Sequence, residues 1–222
     1  PLPSAPVRFT WTALAALMLP LVVAHGATSP ADTDWATYLG DKHRSLYSPL
    51  RQIDRSNVAQ LQVAWTYDTG EKGEYQANNL IIAGVLYTAT PSRRVLALDA
   101  ASGRELWQWD PAKERTGAGG RRQRGLVYWQ NESGGQQRLL TAVGNYLFAL
   151  DPKTGQPIAT FADNGALHLG TGLDTDGTTR VGLNTPGVIF KDTLIIGGFG
   201  GPGAVRGFDV RTGAPRWIFH LI

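Results

Sequence analysis

The sequence predicts an all-β chain assembled from repeated four-stranded antiparallel units, and three observations carry that expectation. Its 222 residues hold 27 glycines and 7 tryptophans but one methionine, a profile suited to short strands, tight turns and large aromatics wedged between sheets. Three segments align without gaps: ALDAASGRELWQW (97–109), ALDPKTGQPIATF (149–161) and GFDVRTGAPRWIF (207–219). Around them, short apolar runs separated by turn residues leave room for four strands per repeat.

Taken from the N-terminus, the chain begins with a segment outside the repeats. Arg8 precedes an uncharged apolar stretch, Phe9 to Ala24, followed by small residues (Ala24, Gly26, Ala27) and the polar run TSPADTD. A basic start, a short apolar core and a small-residue cleavage zone read as a secretory signal peptide over 1–27. The stretch is short for a membrane span and contains Pro20, which leaves an uncleaved membrane anchor as the alternative. Either way the remainder is expected outside the cytoplasm, in the periplasm or exported. Pro1 in place of methionine points to a start further upstream.

Residues 28–60 read as a lead-in segment, and LQVAWTYDTG (61–70) as a strand of the kind that closes a unit. A first unit (61–111) contains NLIIAGVLYTAT (79–90), turning at Ala83-Gly84, and then RVLALD. A second (112–163) contains GLVYWQ (125–130), RLLTAV (138–143) and NYLFAL (145–150). A third (164–222) contains TPGVIF (185–190), TLIIGGF (193–199) and AVRGFD (204–209).

Each aligned segment carries the same turn chemistry. An aspartate (Asp99, Asp151, Asp209) is followed three residues on by Ser102, Thr154 or Thr212, then by Gly103, Gly155 or Gly213. The carboxylate is placed to accept backbone N–H groups just ahead of it, and the glycine to take the positive φ that reverses the chain. Turn formation, not catalysis, is therefore the expected role of the three aspartates. Trp107 and Trp217 recur two residues before the closing aromatics Trp109 and Phe219, with Phe161 closing the middle segment; indoles at a repeating position are expected to pack between sheets. Successive aspartates lie 52 and 58 residues apart. Four short antiparallel strands at about that spacing are the pattern of a β-propeller blade, whereas a β-sandwich would need no repeat. The expected architecture is an incomplete arc of about three blades.

Composition also excludes several classes. With no cysteine there is no disulfide scaffold, thiolate zinc site, cysteine nucleophile or redox thiol pair. A net charge of +3 is too mild to imply nucleic acid. The four histidines (His25, His43, His168, His220) are scattered without metal-ligand spacing. Gly198, Gly200 and Gly203 spell a G-x-G-x-x-G, but a strand and turn follow it instead of the helix a dinucleotide fold requires. Asn131-Glu132-Ser133 fits a glycosylation sequon and reads more simply as a hairpin tip. The cluster Arg121, Arg122 and Arg124 is expected in a solvated loop or at the mouth of a cofactor site. No G-x-S-x-G elbow occurs.

The stretch from 35 to 70, WATYLGDKHRSLYSPLRQIDRSNVAQLQVAWTYDTG, is more specific than any repeat. Through Trp35, Tyr38, Gly40, Arg44, Tyr47, Ser48, Pro49, Leu50, Asn57, Val58, Leu61, Ala64, Trp65, Thr69 and Gly70 it resembles the opening of the pyrroloquinoline quinone (PQQ) dependent dehydrogenases. The three repeats resemble that family's tryptophan-docking motifs. The likeness runs from about Asp34 to the last residue, and YQANNLII, TPSRRVLALDA, RGLVYW and RTGAPRWIFH are similar to the glucose-dehydrogenase-like branch.

The resemblance implies a ring of eight blades, of which this chain holds fewer than four. It implies PQQ and calcium as cofactors, a sugar or alcohol hydroxyl as substrate, and a membrane quinone or a cytochrome as electron acceptor. Carried over position by position, it assigns Gln76 to the amide approaching the quinone, Arg124 of RGLVYW to the cofactor arginine, and Thr185 to a hydroxyl donor. A guanidinium fork suits PQQ, whose three carboxylates and ortho-quinone offer acceptors. Two departures stand against the pattern. Where some relatives carry a vicinal cysteine pair, this chain reads GAGGRRQ; where the family places a calcium-binding glutamate, it reads GGFGGPGAVRG (197–207), without a carboxylate. Neither a metal ligand nor a catalytic residue is assigned. The expectation is part of an exported quinoprotein dehydrogenase, inactive as this chain alone; the rival is a non-catalytic propeller of the periplasmic assembly-scaffold type.

Overall fold

The computed structural model describes residues 34–115, 123–173 and 181–221. The expected signal peptide and the arginines at 121 and 122 lie outside these residues. Among these residues twelve strands form three sheets of four, each an antiparallel meander in chain order. The first comprises β1 (Leu80–Ile82), β2 (Val85–Ala89), β3 (Val95–Asp99) and β4 (Glu105–Trp109). The second comprises β5 (Val127–Gln130), β6 (Gln137–Val143), β7 (Tyr146–Leu150) and β8 (Ala166–His168). The third comprises β9 (Val188–Phe190), β10 (Thr193–Ile196), β11 (Ala204–Asp209) and β12 (Pro215–His220). One helical turn, α1 (Pro111–Glu114), follows the first sheet, its start capped by the Asp110 carboxylate accepting the Ala112 N–H. Four-stranded meanders repeated along the chain are the blades of a β-propeller.

The repeated turns form as their chemistry dictates. Asp99 accepts the Ser102 N–H at 2.8 Å, Asp151 the Lys153 N–H at 2.7 Å, and Asp209 those of Arg211 and Thr212 at 2.8 and 3.0 Å. Gly103, Gly155 and Gly213 sit at φ of 72°, 71° and 74°. Each donates its N–H to the carbonyl of its aspartate at 2.8 Å. These aspartates are turn residues.

The sheets cohere through apolar faces and docked indoles. One core gathers Leu80, Val95 and Trp109 of the first sheet against Leu139, Phe148 and Leu150 of the second, with Trp109 edge-on to Phe148. Another gathers Trp129, Leu140 and Ala149 of the second against Leu194, Ile196 and Phe208 of the third. Strands β6 and β7 are therefore buried along nearly their whole length, as a central blade must be. Trp107 Nε1 donates to the Pro152 carbonyl at 2.9 Å, and Trp129 Nε1 to that of Lys191 at 3.2 Å, each bond crossing to the following turn.

Two expectations are corrected. The segment 61–70 forms no strand. It is held by side-chain contacts: Trp65 Nε1 donates to the Ala100 carbonyl at 3.1 Å, Tyr67 bonds Glu105, and Arg94 donates to the Thr69 carbonyl. The outer strand of the second sheet is also displaced. The aligned segment 149–161 keeps only a single bridge, Leu150 to Pro157; the chain then turns through Phe161, wholly buried, before β8 pairs with β7. The second sheet thus ends at His168, beyond the boundary at 163 that the repeat spacing suggested. A proline alone does not explain the interruption, since Pro215 at the equivalent position opens the full strand β12.

Candidate functional site

The lead-in segment and the innermost strands meet along one side of the three sheets. Trp35 pairs with Ile81 of β1 through two backbone hydrogen bonds, of 2.7 and 3.2 Å. Tyr38 then lies against Gly125, where a Cβ would stand 3.1 Å from both its ring and the Asn78 carbonyl. Only glycine fits there without displacement.

The residues preceding β1, β5 and β9 are joined side by side. The Arg124 carbonyl accepts two bonds from Asn78, its backbone N–H at 2.9 Å and its side-chain amide at 3.1 Å. The Arg124 N–H in turn donates to the Asn184 carbonyl at 2.9 Å. This short transverse ladder fixes the strand starts of all three blades relative to one another. Gln76, two residues before Asn78, Arg124, and Thr185, next to Asn184, therefore share one end of the strands, and all three side chains are exposed.

Each loop is tied from behind. The Tyr75 hydroxyl bonds Thr88 of β2 at 2.7 Å and also bonds Asn79, which holds the Gln76 loop on the first sheet. Gln76 itself reaches only Glu74, at 3.4 Å. Buried Gln123 donates to the Gly125 carbonyl at 3.0 Å and to Thr141 Oγ1 at 2.6 Å, bracketing Arg124. The cavity behind these loops, lined by Gln123, Thr185 and Pro186, measures about 10 Å³, room for one water at most. A larger ligand would meet Gln76, Arg124 and Thr185 from the open side.

Sequence reading missed Asn78, Asn184 and Gln123, which act through backbone contacts or from the interior. Their only signal was proximity to the assigned residues. For a metal the fit is poor: among the described residues no three His, Cys, Asp or Glu side chains come together. The loop between β10 and β11 offers glycine and proline where a calcium ion needs anionic oxygen.

Three meandering sheets with turns docked on indoles, and polar loops converging at one end of their inner strands, define a segment of β-propeller with a candidate ligand face. The chain belongs to the PQQ family described as "Glucose/ethanol/alcohol dehydrogenase, beta-propeller domain", whose model matches residues 35–222. It is 33% identical over 204 residues to quinohemoprotein alcohol dehydrogenase ADH IIB of Pseudomonas putida, covering 88% of this chain and 27% of that protein. It is 31% identical over 224 residues to the quinoprotein glucose dehydrogenase of Escherichia coli (strain K12), covering 87% and 28%. The crystal structure of quinohemoprotein alcohol dehydrogenase from Comamonas testosteroni superposes with a TM-score of 0.67 at 25% identity, over 84% of this chain and 27% of that one. The chain thus spans little more than a quarter of the relatives it matches. Alcohol and glucose dehydrogenases of the family thus match at nearly equal identity.

Proposed function

We propose that this chain supplies part of the cofactor-facing wall of an exported quinoprotein dehydrogenase that oxidises a sugar or alcohol hydroxyl with PQQ. The observation that carries this reading is the Asn78–Arg124–Asn184 backbone ladder, which brings Gln76, Arg124 and Thr185 to one end of the blades. Bound PQQ would supply an ortho-quinone able to take up the two electrons and two protons released as an alcohol becomes a carbonyl compound.

The protein's part is binding and orientation. Arg124 offers a planar, permanently charged fork that matches a carboxylate or quinone oxygen. Gln76 and Thr185 offer an amide and a hydroxyl on either side, each able to donate or accept. Asn78 and Asn184 hold the Arg124 carbonyl and N–H from two directions, so that the guanidinium starts from a fixed base. The described residues hold no calcium donor set, and no proton transfer is assigned to them.

Turnover would then need residues outside this chain, consistent with its covering 27% of the alcohol dehydrogenase relative. Export through the N-terminal apolar segment, and transfer of electrons to a membrane quinone or a cytochrome, complete the proposed setting. A non-catalytic assembly scaffold is the less favoured reading, because the family match and the relatives quoted above are dehydrogenases.

Titration of PQQ onto the 222-residue chain, followed by quenching of tryptophan emission, tests the binding reading. Saturable quenching that weakens at least about tenfold in Arg124→Ala supports it. Equal quenching in the two proteins overturns it.

A further inference from the structure

A second cleft runs along the same inner strands, from Leu126 and Gly187 to Gln130 and Lys191. Its volume is about 390 Å³, within the range of small-molecule sites. Arg124 and Thr185 precede β5 and β9; Gln130 and Lys191, at the far ends, line this cleft. Six residues of extended chain separate Arg124 from Gln130, up to about 20 Å. The opposite wall is the lead-in segment, through Tyr38, Lys42 and Arg44.

Three cations, Lys42, Arg44 and Lys191, face this space. Among the described residues none of them forms an ion pair. Asp41 is the one carboxylate lining it, and its oxygens are engaged by the His43 and Ser45 N–H groups and the Ser45 hydroxyl. Nearby Asp192 is paired with Arg211 at 2.8 Å. The lining therefore carries a net positive charge, three cations against the single carboxylate of Asp41. Tyr38, Tyr128 and Ile189 add flat and apolar surface to its lining. Arg44 already stacks on Tyr38, at 5.3 Å from the ring centre.

We propose that this cleft binds a small anion with a flat apolar body, of the aromatic carboxylate class. The carboxylate would be met by Arg44 and Lys191, with Lys42 adding charge, while the ring lies against the aromatic wall. Neither Gln76, Arg124 nor Thr185 lines this cleft, so the proposed binding does not depend on PQQ at those residues.

Calorimetric titration of naphthoate and of its neutral amide onto the 222-residue chain tests this. Naphthoate is expected to bind saturably, at least about tenfold more tightly than the amide, and to weaken at least about fivefold in Arg44→Gln/Lys191→Gln. In the unmodified chain, raising NaCl from about 50 to about 500 mM should weaken naphthoate and leave the amide unchanged, a readout that needs no variant. Arg124→Ala should leave naphthoate binding unaltered. Equal affinity for acid and amide, indifference to the double substitution, or loss on Arg124→Ala would each overturn the proposal.

Discussion

The indole of Trp107 lies across Gly155 so closely that a Cβ on the glycine would stand 2.5 Å from the ring. The same indole donates its N–H to the Pro152 carbonyl in the same turn. Trp65 repeats the arrangement over Gly103, again at 2.5 Å, with its N–H on Ala100. A glycine that looks like a simple turn residue is therefore also the seat on which the preceding indole rests.

Gly155→Ala should accordingly cost more than a turn glycine normally does. The positive φ contributes about 1–2 kcal/mol and the collision with a packed indole a further 1–3 kcal/mol. Gly84→Ala provides the comparison, because it has a similar φ of 77° but nothing within 4 Å of the added carbon. Urea unfolding should show a loss of roughly 2–5 kcal/mol for Gly155→Ala and about 1–2 kcal/mol for Gly84→Ala. Equal losses would remove the packing role assigned to Trp107.

Glu71 makes stability sensitive to acid. Burial by itself would raise its carboxyl pKa. The Ser92 hydroxyl and N–H, Arg94 Nε at 2.6 Å and the Thr90 hydroxyl outweigh that and hold it below the ordinary glutamate value. A depressed folded-state pKa gives stability that is present above the unfolded value of about 4.3 and lost as pH falls through the folded one. Thermal melts should thus fall more steeply below about pH 4 in the native chain than in Glu71→Gln, which is less stable at neutral pH. Parallel profiles for the two proteins would show that the cluster does not stabilise the folded chain.

Exposure of the third sheet predicts self-association. Strand β12 is exposed along its length, with Trp217 42%, Phe219 62% and the following Leu221 62% accessible, beside Phe190 at 61%. An edge strand with exposed apolar side chains is a template for pairing. Sedimentation should report concentration-dependent species, reduced by Phe219→Lys/Leu221→Lys without change in the far-ultraviolet circular dichroism. No response to the double substitution would locate the association elsewhere.

Catalysis by this chain alone is not expected. With PQQ and calcium added, dye-linked oxidation of glucose or a simple alcohol should stay at the level of the cofactor without protein. Turnover above that level would show that the described blades and their unassigned residues suffice.

Much of this was legible from residues alone where the physics is local. The Asp99, Asp151 and Asp209 turns are each encoded within five residues, and their carboxylate caps and positive-φ glycines formed as expected. Apolar runs located most of the strands, because a blade buried on both faces leaves little choice of residue. Where pairing had to be inferred, the repeat misled: Leu61–Gly70 looked like a strand but is docked by its side chains, and the second sheet's outer strand forms at Ala166, beyond the aligned segment. The candidate sites lay further still from the primary pattern. Asn78 meets Arg124 across 46 residues, and Lys42 meets Lys191 across one cleft. The sequence by itself determined the turns, the blade type and the family. Only the tertiary structure decided which loops stand together, because those contacts exist once neighbouring sheets have packed and not before.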